Sequence, residues 1–169
     1  KIKLINDYFN IRTAKKIKNK YGKAKIITAT NVFPHLQDLN SFAAAIHILL
    51  DSEGVLLIEA HYLKNLLNDV AFDTIYHEHV SYWSINAARE YFKMNDLELF
   101  HVDQLPIHHG QIRCWVCKKN MRKITNSLKR QILAEKKQKI CEDSSLINFK
   151  KKTLNIKRNL NNFIKKIKK

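Results

Sequence analysis

The densest chemistry in this sequence lies in four consecutive residues, Tyr76-His77-Glu78-His79, within the stretch Asp73-Thr74-Ile75-Tyr76-His77-Glu78-His79-Val80-Ser81-Tyr82-Trp83-Ser84. An imidazole titrates near neutral pH and so takes and returns protons. A neighbouring carboxylate orients or charges it, and a phenol donates to an oxygen that gains negative charge. The pattern reads as a catalytic loop, and the competing reading is a polar structural loop. In an extended loop His77 alternates away from its neighbours and reads as structural rather than catalytic. A His77/His79 metal pair lacks a clear third ligand, so no metal site is expected.

The elements that must hold this loop follow from periodicity and punctuation. Ile2–Ile5 reads as a short strand, then Thr13 caps a helix to Tyr21 that Gly22 stops. Residues 25–30 have the composition of a buried strand, and 31–38 form a loop around Pro34. A helix spans 39–50, residues 51–54 make a turn, 55–59 a second buried strand and 62–67 a short helix. Ser84 caps a helix through Met94. Strands at 97–102 and 112–116, joined through 106–110, lack a helix between them and read as an antiparallel hairpin. The alternation is α/β with a mostly parallel sheet, of the open doubly wound kind. Such sheets bind ligands beyond the carboxyl ends of their strands, and Asn31 and the 60s–70s loop follow two of those ends.

The chain of 169 residues has room for one domain and an appendage. Residues 1–120 carry 15 Lys/Arg against 12 Asp/Glu, whereas residues 121–169 carry 16 against 3. The net charge of +16 thus belongs to the tail. The tail reads as a polar helix over 121–140 and a second helix over 145–167. The second helix carries Phe149, Ile156, Leu160, Phe163 and Ile167 at three-four spacing. That stripe implies packing on its own protein, or coiled-coil pairing with another chain. Lys, Ile and Asn are abundant throughout, a coding bias that competes with a functional basic surface. The tail's aromatics lie on the stripe and not among exposed lysines, so no nucleic acid is expected as a partner. No apolar run is long enough to span a membrane. Cys114, Cys117 and Cys141 are an odd, small set without an export pattern, which argues for free thiols and a cytoplasmic location.

Three blocks occur in order: Asn31-Val32-Phe33-Pro34-His35, Phe72 through His79, and Leu105-Pro106-Ile107-His108-His109-Gly110-Gln111-Ile112-Arg113. Together they resemble the S-adenosylmethionine-dependent sugar C-methyltransferases, which act on nucleotide-linked 4-keto-deoxysugars. The resemblance covers roughly residues 1–118 and extends loosely into the tail. It implies the second half of a class I methyltransferase (Rossmann-like) doubly wound sheet over 1–120. A basic helical segment over 121–169 would then lead toward a further C-terminal domain. With only three glycines, at 22, 54 and 110, no glycine-rich cofactor loop is present, and no acidic ribose contact is visible. A fragment of a longer enzyme is therefore expected, with zinc only in a preceding N-terminal domain.

By this resemblance His79 is the general base, and Glu78 orients or polarises it or binds the sugar. Tyr76 is the oxyanion donor, His35 a second active-site histidine, and Asn31 a contact on the cofactor side. The cofactor implied is S-adenosyl-L-methionine and the substrate a nucleotide-linked keto sugar. His108 is a substrate-binding candidate in a segment that departs from the family, which commonly shows His-Gly-Gly-Ser there. His109 replaces a glycine and Gln111 a serine. Cys114 and Cys117, three apart on a strand, face opposite ways and read as ordinary thiols. Arg113 either pairs within the sheet or reaches a phosphate. The alternative function is a non-catalytic remnant or an interaction module working through the basic tail. Self-association, or dependence on missing parts of the enzyme, goes with it.

Overall fold

A computed structural model describes residues 2–107 and 110–168. One sheet is built from β1 (Ala24–Thr30), β2 (Leu50–His61), β3 (Leu97–Leu105) and β4 (Gln111–Lys118), in the order β1-β2-β4-β3. β1 and β2 are parallel, and β4 is inserted antiparallel to both β2 and β3. Three strands therefore run one way and β4 runs against them. The sheet is mixed rather than mostly parallel in its pairings, because the expected β3–β4 hairpin folds β4 back between β2 and β3.

Alternation along β2 decides which face is buried. Leu56 and Ile58 are buried and meet Ile112, Cys114 and Val116 of β4 in the main core. The helices α2 (Leu39–Leu49), α4 (Ile85–Met94) and α5 (Asn126–Gln138) close that face with Phe42, Ile46, Ile85, Phe92 and Leu128. The other face carries half-buried polar pairs. Arg113 meets Glu59 at 2.6 Å, so its pairing lies within the sheet. Trp115 Nε1 donates to Asp103 Oδ2 at 2.7 Å.

Several boundaries differ from the sequence expectation for local reasons. Ile2–Ile5 forms no strand and finds no neighbouring strand to pair with among the described residues. The first helix, α1 (Ile11–Tyr21), is capped by Asn10, whose side chain accepts from Thr13 N, so Thr13 lies inside it. Asn competes well with Thr for that role. Gly22 ends α1 at φ 82° as expected. β1 is a sheet edge and not a buried strand: Ile26 is 67% exposed. Residues 51–54 are not a free turn but an irregularity inside β2. They fall between the Ala24–Leu50 and Ile26–Val55 pairings. Gly54 is required there, since a Cβ would sit 2.8 Å from the Ala24 carbonyl.

Beyond β4 the chain forms α5, which starts at Asn126 rather than 121, and α6 (Asp143–Ile167). α5 is integral to the fold. Buried Glu135 accepts from Ile85 N at 2.6 Å and from Asn86 N at 3.0 Å, capping the N-terminus of α4. A carboxylate there also faces the positive end of the helix dipole. α6 packs on the body near its start, where Phe149 meets Leu66, Leu67 and Ile140. Its apolar stripe at Ile156, Leu160, Phe163 and Ile167 is exposed, contrary to packing on its own protein. No helix among the described residues is long and apolar enough to cross a membrane.

Candidate active site

The ends of β1 and β2 and the start of β4 converge on an open cleft of about 430 Å³. Asn31, His35, His61, Asp73, Thr74, Tyr76, His79 and Gln111 line it. Four residues singled out in the sequence, Asn31, His35, Tyr76 and His79, thus share one cleft. Glu78 and His77 are exposed and do not line it. His108 lies outside the described residues.

Two short structures bring the loop to the strand ends. Phe33–His35 is a 3-10 turn with Pro34 near its start. Phe33 is buried against Phe42, Trp83 and Phe92, which fixes the turn in the core and leaves His35 at its rim. The carbonyl of Pro34 then accepts from Val80 N at 3.0 Å and Ser81 N at 3.2 Å, tying the loop that carries Tyr76 and His79 to this turn. Ser84 ends the loop by capping α4, as its sequence position implied.

His79 is held by its backbone surroundings. Its Nδ1 lies 2.8 Å from the Thr74 carbonyl oxygen. A carbonyl only accepts, so Nδ1 carries the proton and the neutral ring has its lone pair on Nε2. Nε2 in turn lies 3.3 Å from the Tyr76 hydroxyl, which donates to it. The same Thr74 carbonyl accepts from Tyr82 Oη at 3.1 Å. Burial raises the Tyr82 phenol above its usual value, which keeps it a donor. The Thr74 carbonyl thus orients the His79 ring, while the side chain of Glu78, read as orienting or polarising His79 or binding the sugar, is exposed. Glu78 contributes its backbone carbonyl, which accepts from His35 Nδ1 at 2.7 Å and leaves His35 Nε2 as that ring's remaining functional nitrogen.

The ring of His79 also lies 4.6 Å from His61 and 5.1 Å from His35, centroid to centroid. No set of three or more His, Cys, Asp or Glu among the described residues is arranged to hold a metal. His61 was missed because the strand was expected to stop at residue 59. Carrying the alternation two residues further places His61 at the cleft end of β2.

At the opposite wall, Asn31 has a left-handed backbone, φ 55°, directly after β1. Gln111, only 1% exposed, donates from Nε2 to Asn31 Oδ1 at 2.7 Å. Gln111 Oε1 is buried without a partner among the described residues. Such an orphaned acceptor costs about 1–3 kcal/mol and calls for an explanation.

Residues 3–102 match a family model described as a methyltransferase domain, and residues 106–169 match one described as a C-methyltransferase C-terminal domain. C-methyltransferase NovU of Streptomyces niveus is 30% identical over 104 residues, 62% of this chain and 25% of that protein. The chain thus spans about a quarter of the length of that curated relative. Among solved structures, M1.HpyAVI superposes with a TM-score of 0.41 at 15% identity, over 69% of this chain and 55% of that one. A likeness that low says nothing about the site.

Proposed function

We propose that this chain, which belongs to the methyltransferase-domain family of C-methyltransferases, carries the proton-abstracting half of an S-adenosylmethionine-dependent C-methyltransferase. Its substrate is the carbon beside the ketone of a nucleotide-linked keto-deoxysugar. The observation that supports this best is the Thr74–His79–Tyr76 chain of hydrogen bonds at the mouth of the cleft.

His79 Nε2 removes the proton from the carbon next to the ketone. The Thr74 carbonyl stabilises the resulting imidazolium through Nδ1, much as a buried carboxylate would in a triad. The Tyr76 hydroxyl leaves Nε2 as substrate enters and donates to the ketone oxygen, which gains charge as the enolate forms. His35, anchored through Nδ1, presents Nε2 to the same cleft and holds the substrate beside the base. Glu78, exposed on the loop, contacts a sugar hydroxyl, and His108 is a further substrate contact.

The residues present fit one side of a methyl donor. Asn31 stands at the strand end with a side chain already tied to Gln111 and would hold the donor there. S-adenosylmethionine, when bound, supplies the electrophilic methyl group. The glycines supply no cradle for the rest of it: Gly22 ends α1, Gly54 lies within β2 and Gly110 precedes β4.

Methyl transfer by the natural-length protein tests the reading. His79→Asn should lower kcat by about 10²–10⁴-fold, the usual worth of a general base. Tyr76→Phe should lower it by about 10²–10³-fold, as for loss of one oxyanion donor. Both variants should melt like the wild type. Wild-type turnover in His79→Asn rules out the assigned base.

A second reading is favoured by the exposure of α6, whose residues are nowhere buried. In it the basic tail binds a partner and the cleft is a remnant. It requires salt-sensitive association that disappears when the tail is removed.

A further inference from the structure

The Asn31–Gln111 contact joins two strands that are not neighbours, across the end of β2. Both partners are primary amides, and each end of an amide is either a donor or an acceptor. Which end Asn31 turns to the cleft is therefore set by which end it gives to Gln111. In this structure its oxygen is engaged, so its NH₂ remains for the cleft.

Gln111 is well placed to impose that choice. It is buried and paired in register with both His61 and Leu105. Gly110, at φ 94°, has no room for a Cβ against the Asn65 side chain, which fixes the chain direction just before it. Asn31 is held on its own side by its backbone N–H, which donates to the Glu59 carbonyl at 3.1 Å. The orphaned Gln111 Oε1 accompanies the arrangement, and its lack of a partner brings the fold no gain.

We propose that Gln111 is a positioning residue that fixes the Asn31 carboxamide with its NH₂ toward the cleft, so that the site selects a ligand presenting an acceptor oxygen at the end of β1. This deepens the functional reading above and rests on it. The acceptor has two possible sources: the carboxylate of an amino-acid-bearing methyl donor, or an oxygen of the keto sugar.

Binding to the natural-length protein distinguishes them. The probes are S-adenosylhomocysteine, methylthioadenosine (which lacks the carboxylate) and a nucleotide-linked 4-keto-deoxyhexose, each titrated calorimetrically. Gln111→Met keeps the length of the side chain and removes both amide atoms. It should weaken one acceptor-bearing ligand about 5-fold or more while the melting temperature holds or rises. Loss for S-adenosylhomocysteine but not methylthioadenosine assigns the acceptor to the donor's carboxylate. Loss confined to the sugar nucleotide assigns it to the substrate.

Gln111→Glu, which cannot donate, should turn Asn31 around and weaken the same ligand further. It serves as the test if the Met variant fails to fold. Unchanged affinities for all three ligands in a folded variant overturn the proposal. A wild-type protein that binds none of them overturns the functional reading and this inference with it.

Discussion

At the scale of single residues, the site depends on hydrogen-bond direction. The Thr74 carbonyl forces the tautomer of His79, and Tyr76 marks where Nε2 points. That Tyr76 and His79 belong to one cleft was legible in the sequence, because four proton-transfer groups rarely cluster by accident. The orienting partner was not legible. It is a backbone carbonyl, which any residue type supplies and which no side-chain pattern marks. The thiols illustrate burial acting alone. Cys114 is fully enclosed, and burial pushes its pKa up to about 12 from 9.0, whereas Cys141 is exposed. Native protein at pH 8.5 should therefore alkylate at Cys141 and spare Cys114 and Cys117, as mass spectrometry of iodoacetamide-treated protein will report. Because the folded Cys114 holds its proton longer than the unfolded thiol, its contribution to stability is complete below pH 9 and declines as pH rises toward about 12. Rapid labelling of Cys114 in the folded state would contradict this burial.

At the scale of elements, the site exists because strand ends, one 3-10 turn and one loop are tied together. The helices and strands were largely legible from period and caps, with Ser84 and Gly22 acting as read. Errors fell where tertiary pairing overrides local signals. Residues 51–54 have a turn's composition, yet β1 pulls them into β2 as an irregularity. His61 escaped notice because it sits two residues beyond the strand end inferred from composition, and Gln111, noted only as a departure from the family, sits one residue before the inferred start of its strand. Glu135 shows the same limit: in sequence it is one more charge on a polar helix, and in the fold it caps α4 from 50 residues away. Glu135→Ala leaves the buried Ile85 N–H unpaired and should destabilise the fold by about 2–4 kcal/mol. Urea denaturation will measure it, and a loss below ~0.5 kcal/mol would show that the cap is not formed in solution.

At the scale of the whole molecule, one face of the sheet is covered by helices and β1 is an open edge. The antiparallel β3–β4 hairpin was legible, but the order β1-β2-β4-β3, which places the reversed β4 between β2 and β3, was not. The disposition of the tail was not legible. Its three-four stripe is as regular as that of a packed helix, and periodicity records amphipathicity without saying what covers it. Since no described residue from Leu154 onward is buried, deleting residues 154–169 should change stability by no more than about 0.5 kcal/mol. A drop of several degrees in melting temperature on that deletion would show that α6 is packed in solution.

The most direct test of the central claim removes methyl transfer from the experiment. The natural-length protein is incubated in D₂O with a nucleotide-linked 4-keto-deoxysugar and S-adenosylhomocysteine, and proton NMR follows deuterium entering the carbon beside the ketone. If His79 is the base, the wild type catalyses this exchange and His79→Asn slows it by about 10²-fold or more. Equal exchange in the two proteins would contradict the assignment of His79 as the base.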